Sequence, residues 1–539
     1  MKHSYSHRSS QKNDFFTYQR LFRIILLFLG SNGGLRCCQA LSSITMPPLT
    51  TIGDHTLLAR KAMDYFDQST DPFHAVKTSV DLLIEAGFEE LDETGPSTVV
   101  VGGKYFFLRN KSSLVAFTVG EKFKAGHGGF KIIGAHTDSP NLRIKPRSKR
   151  SQKTSKSIQV GVECYGGGLW HTWFDRDLSL SGRVFCRRKV NTDGEDVEFI
   201  EQRLVKIDQP ILRVPNLAIH LQTAEERKAF KINNEDHLSP ILAMSAEKAL
   251  SGDINNDNSD KEKANDDGWT EHQEPLLLDL LASELDISIE SIVDFELNLY
   301  DVQKASLGGI HSEFIHSARL DNLASCYLAV QALVDCSKQD DFMKNDQDIS
   351  MVVLFDHEEI GSTSAIGAAS PILGEAVKRI SAVLNSKEQN VAHYDLYEAT
   401  IRKSFVLSSD QAHALHPNYA SKHEKSHQPI INGGIVIKRN SNQKYATTGP
   451  TGIIMREIAR RSNLPLLQEF IVRQDCGCGS TIGPIISSNT GIRAIDIGAP
   501  SLSMHSIRET MGVCDLTSGL ELFKAFFVHF RSVDDSLEQ

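Results

Sequence analysis

The sequence predicts an α/β fold in which a β-rich segment interrupts a catalytic domain. Three observations carry this reading. Apolar runs of strand length end repeatedly in His or carboxylate groups, as in Phe130-Lys131-Ile132-Ile133-Gly134-Ala135 before His136 and Ile349-Ser350-Met351-Val352-Val353-Leu354-Phe355 before Asp356-His357-Glu358-Glu359. Segments of helical period alternate with such runs on both sides of a central stretch. Between about 147 and 300 the pattern changes to short, closely spaced β-like runs. The expected organisation is an extension over 1–53, a catalytic domain built from 54–146 and 301–539, and an inserted β-rich domain over 147–300. At 539 residues, two domains are the prior expectation.

Residues 1–53 hold one acid, Asp14, against Lys2, Arg8, Lys12, Arg20, Arg23 and Arg36. Their apolar run, Leu21 to Leu29, is shorter than the roughly 20 residues that span a bilayer. Such a segment fits an organellar transit peptide (plastid or mitochondrion), a secretory or vacuolar signal cut near Gln39-Ala40, or an extension without a targeting role. Met46 offers an alternative start that would give a cytoplasmic form. No later run is apolar enough to span a membrane.

From Asp54 to Gly87 the chain reads as helical, with Leu57, Leu58, Ala62, Met63 and Phe66 at helical spacing. Strand-like runs follow at Thr98–Val101, Tyr105–Leu108 and Ser113–Thr118, then the run leading to His136. Arg147–Lys156 is basic and Ser-rich and reads as a loop. Strands are expected at Ile158–Val162, Leu178–Val184 and Phe199–Ile207. Residues 233–274, rich in Asn and Asp, read as a mobile surface loop with one helix at most. From Phe295 the α/β alternation resumes.

A net charge of −10 with no basic stripe interleaved with aromatics argues against a nucleic-acid partner. The nine cysteines lack zinc-ribbon spacing; Cys476-Gly477-Cys478 has one residue between the thiols. His357-Glu358-Glu359-Ile360-Gly361 lacks the second His of the His-Glu-x-x-His helix. No Gly-x-Ser-x-Gly elbow or phosphate-binding Gly-Lys loop is present.

The strand-end groups are suited to a pair of zinc ions. A hydrolytic site with two ions about 3.5–4 Å apart needs a bridging carboxylate and terminal imidazole or carboxylate ligands. Asp321, in Ser317-Ala318-Arg319-Leu320-Asp321-Asn322, is the expected bridge. His136 and Asp410 complete one ion, Glu359 and His505 the other. Asp138 is placed to accept the imidazole N–H of His136 that faces away from the metal. Glu358 remains as general base for the metal-bridging water. Each group also has a bland alternative: Asp321 could cap the helix beginning at Leu323, and His357, His413 and His416 are read as bystanders.

The chain resembles the aspartyl aminopeptidase family of dinuclear zinc metallopeptidases. The resemblance rests on Gly134-Ala135-His136-Thr137-Asp138-Ser139-Pro140, on Tyr165-Gly166-Gly167-Gly168-Leu169-Trp170-His171-Thr172-Trp173-Phe174-Asp175, and on the blocks around Asp321, Glu358, Asp410 and His505. It runs from about residue 55 to the C-terminus. It implies a zinc-peptidase-like catalytic domain with a central mixed sheet flanked by helices, and gives the inserted domain a role in dimerisation. It implies removal of N-terminal Asp or Glu from peptides, two Zn2+ per subunit, and a tetrahedral dodecamer built from dimers. It also makes His171 a catalytic or substrate contact supplied to a neighbouring subunit.

An acidic side chain needs a fixed positive charge in its pocket. Lys438, in Gly433-Gly434-Ile435-Val436-Ile437-Lys438, is the candidate, and the family block points there too. Asp475, in Arg473-Gln474-Asp475-Cys476-Gly477, is the candidate for the substrate's free amine. Alternatives are a metallo-aminopeptidase or deacylase of different side-chain preference, or a self-assembling scaffold or cargo particle with incidental activity.

Overall fold

The structure, a computed structural model, describes residues 52–95, 98–152, 155–192, 195–244, 268–385 and 393–537. The expected extension lies outside these residues except for its last two, and so does 245–267 of the expected loop.

Four adjacent parallel strands position everything that follows. In order they are Ile349–Phe355, Phe130–His136, Phe405–Ser409 and Arg493–Gly498. Phe355 is in register with His136, so both strands end at one level. Val-, Ile- and Phe-rich runs buried on both faces are what a parallel interior requires, and every residue of Ile349–Phe355 and Phe130–His136 is buried. Strands joined to these four by antiparallel pairs extend the sheet on either side. The full order is Glu89–Glu90, Lys104–Arg109, Ser113–Val119, the four parallel strands, Val436–Arg439 and Gln468–Ile471.

Side-chain alternation divides the core into two layers. Ile133, Ala135, Val352, Leu354 and Leu407 face the helices Leu320–Ser337 and Val513–Asp534. Ile132, Met351, Val353 and Val406 face the helices Ile372–Asn385 and Ile482–Thr490. Phe405, Phe526 and Phe530 meet with ring centroids 5.1–6.0 Å apart, each pair worth about 0.5–1.5 kcal/mol beyond burial. Buried ion pairs close the edge where these strands begin: Lys131 with Asp346 at 2.8 Å, and Arg531 with Asp348 at 2.8 Å.

A second, six-stranded antiparallel sheet has the order Glu195–Lys206, Leu178–Thr192, Ile292–Asp301, Asn141–Gln152, Ser157–Tyr165 and Ile241–Met244. The helix Pro275–Leu285 packs Leu277, Leu278 and Leu281 onto it. This sheet begins at Asn141, before the expected boundary at 147. A small third sheet joins Ser306–Gly308, Phe314–Ser317, Glu509–Gly512, Pro500–Leu502 and Ala412–His413.

One local expectation is refined and three are corrected. The helical stretch 54–87 is two helices, Ile52–Gln68 and Pro72–Glu85, because Asp71 accepts from the Phe73 and His74 amides and Pro72 starts a new helix. Thr98–Val101 forms no strand; the chain turns at Val101-Gly102, and the Val100 amide donates to the Tyr105 hydroxyl. Arg147–Gln152 is not a loop but the end of a strand, paired from Lys149↔Val160 to Gln152↔Ser157 after a register shift. Its ladder outweighs its polar composition. In 233–244, a short helix (Asn234–His237) is followed by the strand Ile241–Met244, which pairs with Ser157–Tyr165.

Candidate metal centre

The carboxyl ends of the parallel strands converge with two irregular segments. His136 ends its strand, Asp410 follows Ser409, and Glu358 and Glu359 follow Phe355 after a two-residue turn. Asp321 lies where the helix Leu320–Ser337 departs from helical geometry (φ −84°, ψ 100°), so it does not act as a regular cap residue. The Ser139 hydroxyl donates to its carbonyl, and the Asn322 side chain donates to the Ser409 carbonyl. His505 sits in a turn after Pro500–Leu502 with φ +65°. Arg319 and His357 are also left-handed (φ +57° and +65°); such positions cost about 1–3 kcal/mol each and occur where surroundings enforce them.

The five expected ligands fall into two groups that share Asp321. His136, Asp321 and Asp410 form one; Asp321, Glu359 and His505 form the other. Asp321 Oδ1 lies 3.4 Å from His136 Nε2, and its Oδ2 lies 3.4 Å from His505 Nε2. Asp410 Oδ1 is 3.6 Å from His136 Nε2, and Glu359 Oε1 is 3.3 Å from His505 Nε2. Glu358 Oε2 lies 4.0 Å from His136 Nε2. Both imidazoles are oriented from behind. Nδ1 of His136 donates to the Asp138 carbonyl at 3.0 Å, and Nδ1 of His505 to the Gly167 carbonyl at 2.9 Å, leaving each Nε2 toward the cluster.

The donor set fits zinc. Asp321 Oδ1, Glu359 Oε1 and Asp410 Oδ1 are buried carboxylate oxygens without a protein hydrogen-bond partner. Buried acceptors of this kind are costly unless a cation meets them. Burial pushes Glu358 up to about 8, with Asp410 and Asp321 adding to the shift and His136 opposing it. Burial and Asp321 hold Glu359 well above the usual carboxylate range. Four carboxylates against two imidazoles leave an excess of negative charge that a divalent cation compensates.

Asp138 does something other than expected. The main-chain carbonyl of Asp138, not its carboxylate, is the close partner of His136; the carboxylate stands off at 3.5 Å. Its oxygens instead accept from the amides of Glu358 and Glu359, both at 3.1 Å, and from the Tyr165 hydroxyl at 2.7 Å. Asp138 therefore fixes the backbone that carries the two acids. Tyr165 comes from the six-stranded sheet, with the Arg143 guanidinium 3.5 Å from its ring centroid. Gly166 has φ +72°, and a Cβ there would stand 3.2 Å from Glu359 Cβ. Gly498 lets the Asp410 carbonyl approach to where its own Cβ would be, 1.7 Å away.

Lys438 is buried; its Nζ donates to Asp410 Oδ2 at 3.2 Å and to the Gln411 carbonyl at 3.1 Å. Asp475 lies outside the ligand groups, exposed and paired with Arg473 at 2.6 Å. His171 is exposed, in the short helix Trp170–Trp173. Its neighbours hold this chain's own His505: the Leu169 amide donates to the His505 carbonyl, and the Ile507 amide to the Thr172 hydroxyl. Sequence reasoning gave no role to Tyr165 or Glu509. The four-residue spacing from His505 to Glu509 was the only available signal for the latter.

Among the described residues, no helix is long and apolar enough to cross a membrane. The model of the aminopeptidase I zinc metalloprotease family, M18, matches residues 65–527. A probable aspartyl aminopeptidase of Ricinus communis is 44% identical over 484 residues, covering 88% of this chain and 96% of its own length. Aspartyl aminopeptidase 4 of Saccharomyces cerevisiae is 43% identical over 487 residues, covering 89% and 96%. Among solved structures, one described as the cryo-EM structure of an Ape4 and Nbr1 complex superposes with a TM-score of 0.81 at 41% identity, covering 91% of this chain and 89% of that one. The S. cerevisiae mApe1 dodecamer gives 0.72 at 28% identity, covering 90% and 99%. With the family model spanning most of its length, the chain belongs to the M18 family of zinc metalloaminopeptidases.

Proposed function

We propose that this aminopeptidase removes N-terminal Asp or Glu from peptides at a centre for two zinc ions. The observation that carries the reading is Asp321, which offers one oxygen to His136 and the other to His505. His136 and Asp410 would hold one ion, Glu359 and His505 the other, with Asp321 between them. Zinc, when bound there, supplies Lewis acidity and makes water a competent nucleophile near neutral pH.

The chain's own groups do the rest. Glu358, flanking His136, takes the proton from the attacking water and delivers it to the departing amine. Asp138 keeps Glu358 and Glu359 in place through their amides. Lys438, beside Asp410, supplies the positive charge for an acidic side chain. A hydrogen bond to a charged group is worth about 1.5–3 kcal/mol, or roughly ten- to hundredfold in discrimination. The aspartyl aminopeptidases among the relatives support the same preference. Asp475, ion-paired at the surface, is the weaker assignment; it would meet the substrate amine only on leaving Arg473.

The six-stranded sheet serves as an inserted dimerisation module, and dimers assemble into a tetrahedral dodecamer. In that assembly the exposed His171 contacts a neighbouring subunit's substrate. Support comes from the dodecameric relative and the exposure of His171.

The test is a panel of chromogenic aminoacyl substrates, with and without chelator, on the wild type and Glu358→Gln. Acidic residues should be cleaved best, chelator should abolish turnover, and zinc should restore it. Glu358→Gln should keep zinc and assembly but lose turnover. Wild-type turnover in Glu358→Gln would exclude it as the base, and a neutral or basic optimum would overturn the assignment of Lys438.

A further inference from the structure

Glu509 is almost fully buried, 2% exposed, at the first position of the strand Glu509–Gly512. That strand pairs antiparallel with Phe314–Ser317, Glu509 opposite Ser317. Its carboxylate therefore reaches both the segment leading to Asp321 and the turn that carries His505. Oε2 accepts from the Asp321 amide at 2.8 Å, and Oε1 accepts from the His505 amide at 2.8 Å. Both bonds go to main chain, so they set where each side chain begins. Neither residue lies in regular structure: Asp321 has φ −84° and ψ 100°, and His505 has φ +65°. Buried amides outside a helix or ladder need a designated acceptor, and Glu509 is that acceptor for both.

From these insights into the backbone we infer that Glu509 is a positioning residue that holds the His505 side of the centre against Asp321. The inference rests on the two-ion reading above. The two sides are supported differently. His136 is fixed by its place at the end of an interior strand and by the Asp138 carbonyl. His505, in a turn, has the Gly167 and Leu169 contacts and the Glu509 bond. Asp321, shared by both groups, keeps the Ser139 bond to its carbonyl, so loosening Glu509 falls mainly on the ion held by Glu359 and His505, while the side of His136 and Asp410 keeps its own supports.

Glu509→Gln keeps one carbonyl oxygen and turns an NH2 toward the other main-chain N–H, where two donors face each other. Glu509→Asp keeps both carboxyl oxygens but shortens the reach by one methylene. Zinc stoichiometry and affinity are measured by competition with a chromophoric chelator on the full-length assembled protein. Cobalt titration followed by visible absorption provides a second readout. Loss of such an outer support typically costs 10–100-fold in metal affinity. The expected result is two unequal binding steps in Glu509→Gln, one within about threefold of wild type and one weakened roughly 10–100-fold, with Glu509→Asp between the two. Excess zinc should restore kcat with KM for an acidic substrate unchanged. The proposal is overturned if both steps match wild type while activity falls, or if both weaken equally. It is also overturned if neither variant keeps the native assembly by sedimentation and near-ultraviolet circular dichroism, because Glu509 then serves the fold at large. A wild type that binds only one zinc would sink the two-ion reading itself, separately from the behaviour of the variants.

Discussion

Tyr165→Phe isolates one bond between the six-stranded sheet and the acids of the centre. The Tyr165 hydroxyl is buried and donates to Asp138 Oδ2 at 2.7 Å. Phenylalanine keeps the ring under the Arg143 guanidinium and removes only the donor. A hydrogen bond to an ionised acceptor contributes about 1.5–3 kcal/mol. Asp138 keeps its two amide donors, so the carboxylate stays in place but is held less firmly. If the whole contribution is expressed in the placement of Glu358 and Glu359, kcat falls roughly ten- to hundredfold. Steady-state kinetics at saturating zinc on an acidic aminoacyl substrate measure it, with zinc content and near-ultraviolet circular dichroism as controls. A kcat within twofold of wild type, with zinc content unchanged, would refute the argument that Asp138 positions the acids through this bond.

Three further outcomes are expected. Gly166→Ala places a Cβ 3.2 Å from Glu359 Cβ and forces a side chain into φ +72°; the conformation alone costs about 1–2 kcal/mol, and zinc retention on dialysis should fall with activity. Arg531→Met leaves the fully buried Asp348 without its ion-pair partner, which should lower stability by about 3–5 kcal/mol in urea titration while folded protein remains active. Burial pushes the Asp515 carboxyl up to about 7, although the Asn432 and Gly434 amides donate to it. Its native state therefore holds the proton more tightly than the unfolded chain, so its stabilising contribution is full below about pH 4 and is lost as pH rises through about 7. Thermal melts across that window should fall more steeply with pH in the wild type than in Asp515→Asn.

The parallel strands were legible because burial on both faces makes them apolar throughout, and the abrupt switch to His and carboxylate groups at the ends of Phe130–His136 and Ile349–Phe355 marks the sheet edge that carries the site. The same contrast exposed His136, Glu358 and Glu359. Asp321 needed a different signal, a lone acid before a helix, and its geometry there is irregular. Arg147–Gln152 was not legible, since its strand state comes from pairing with Ser157–Tyr165 rather than from its own composition. Tyr165 and Glu509 were invisible for a related reason: Tyr165 donates to the Asp138 carboxylate and Glu509 accepts from the Asp321 amide, both far away in sequence, and nothing local records such a partner. For Asp138 the residue was identified but the atom was not, because the sequence cannot distinguish a carbonyl from a carboxylate as the acceptor two residues from an imidazole.

The ligand groups draw on His136 at one extreme and His505 at the other. A chain still on the ribosome therefore lacks one of the proposed ligands until His505 has been added, so the centre closes only when almost all of the chain has been synthesised.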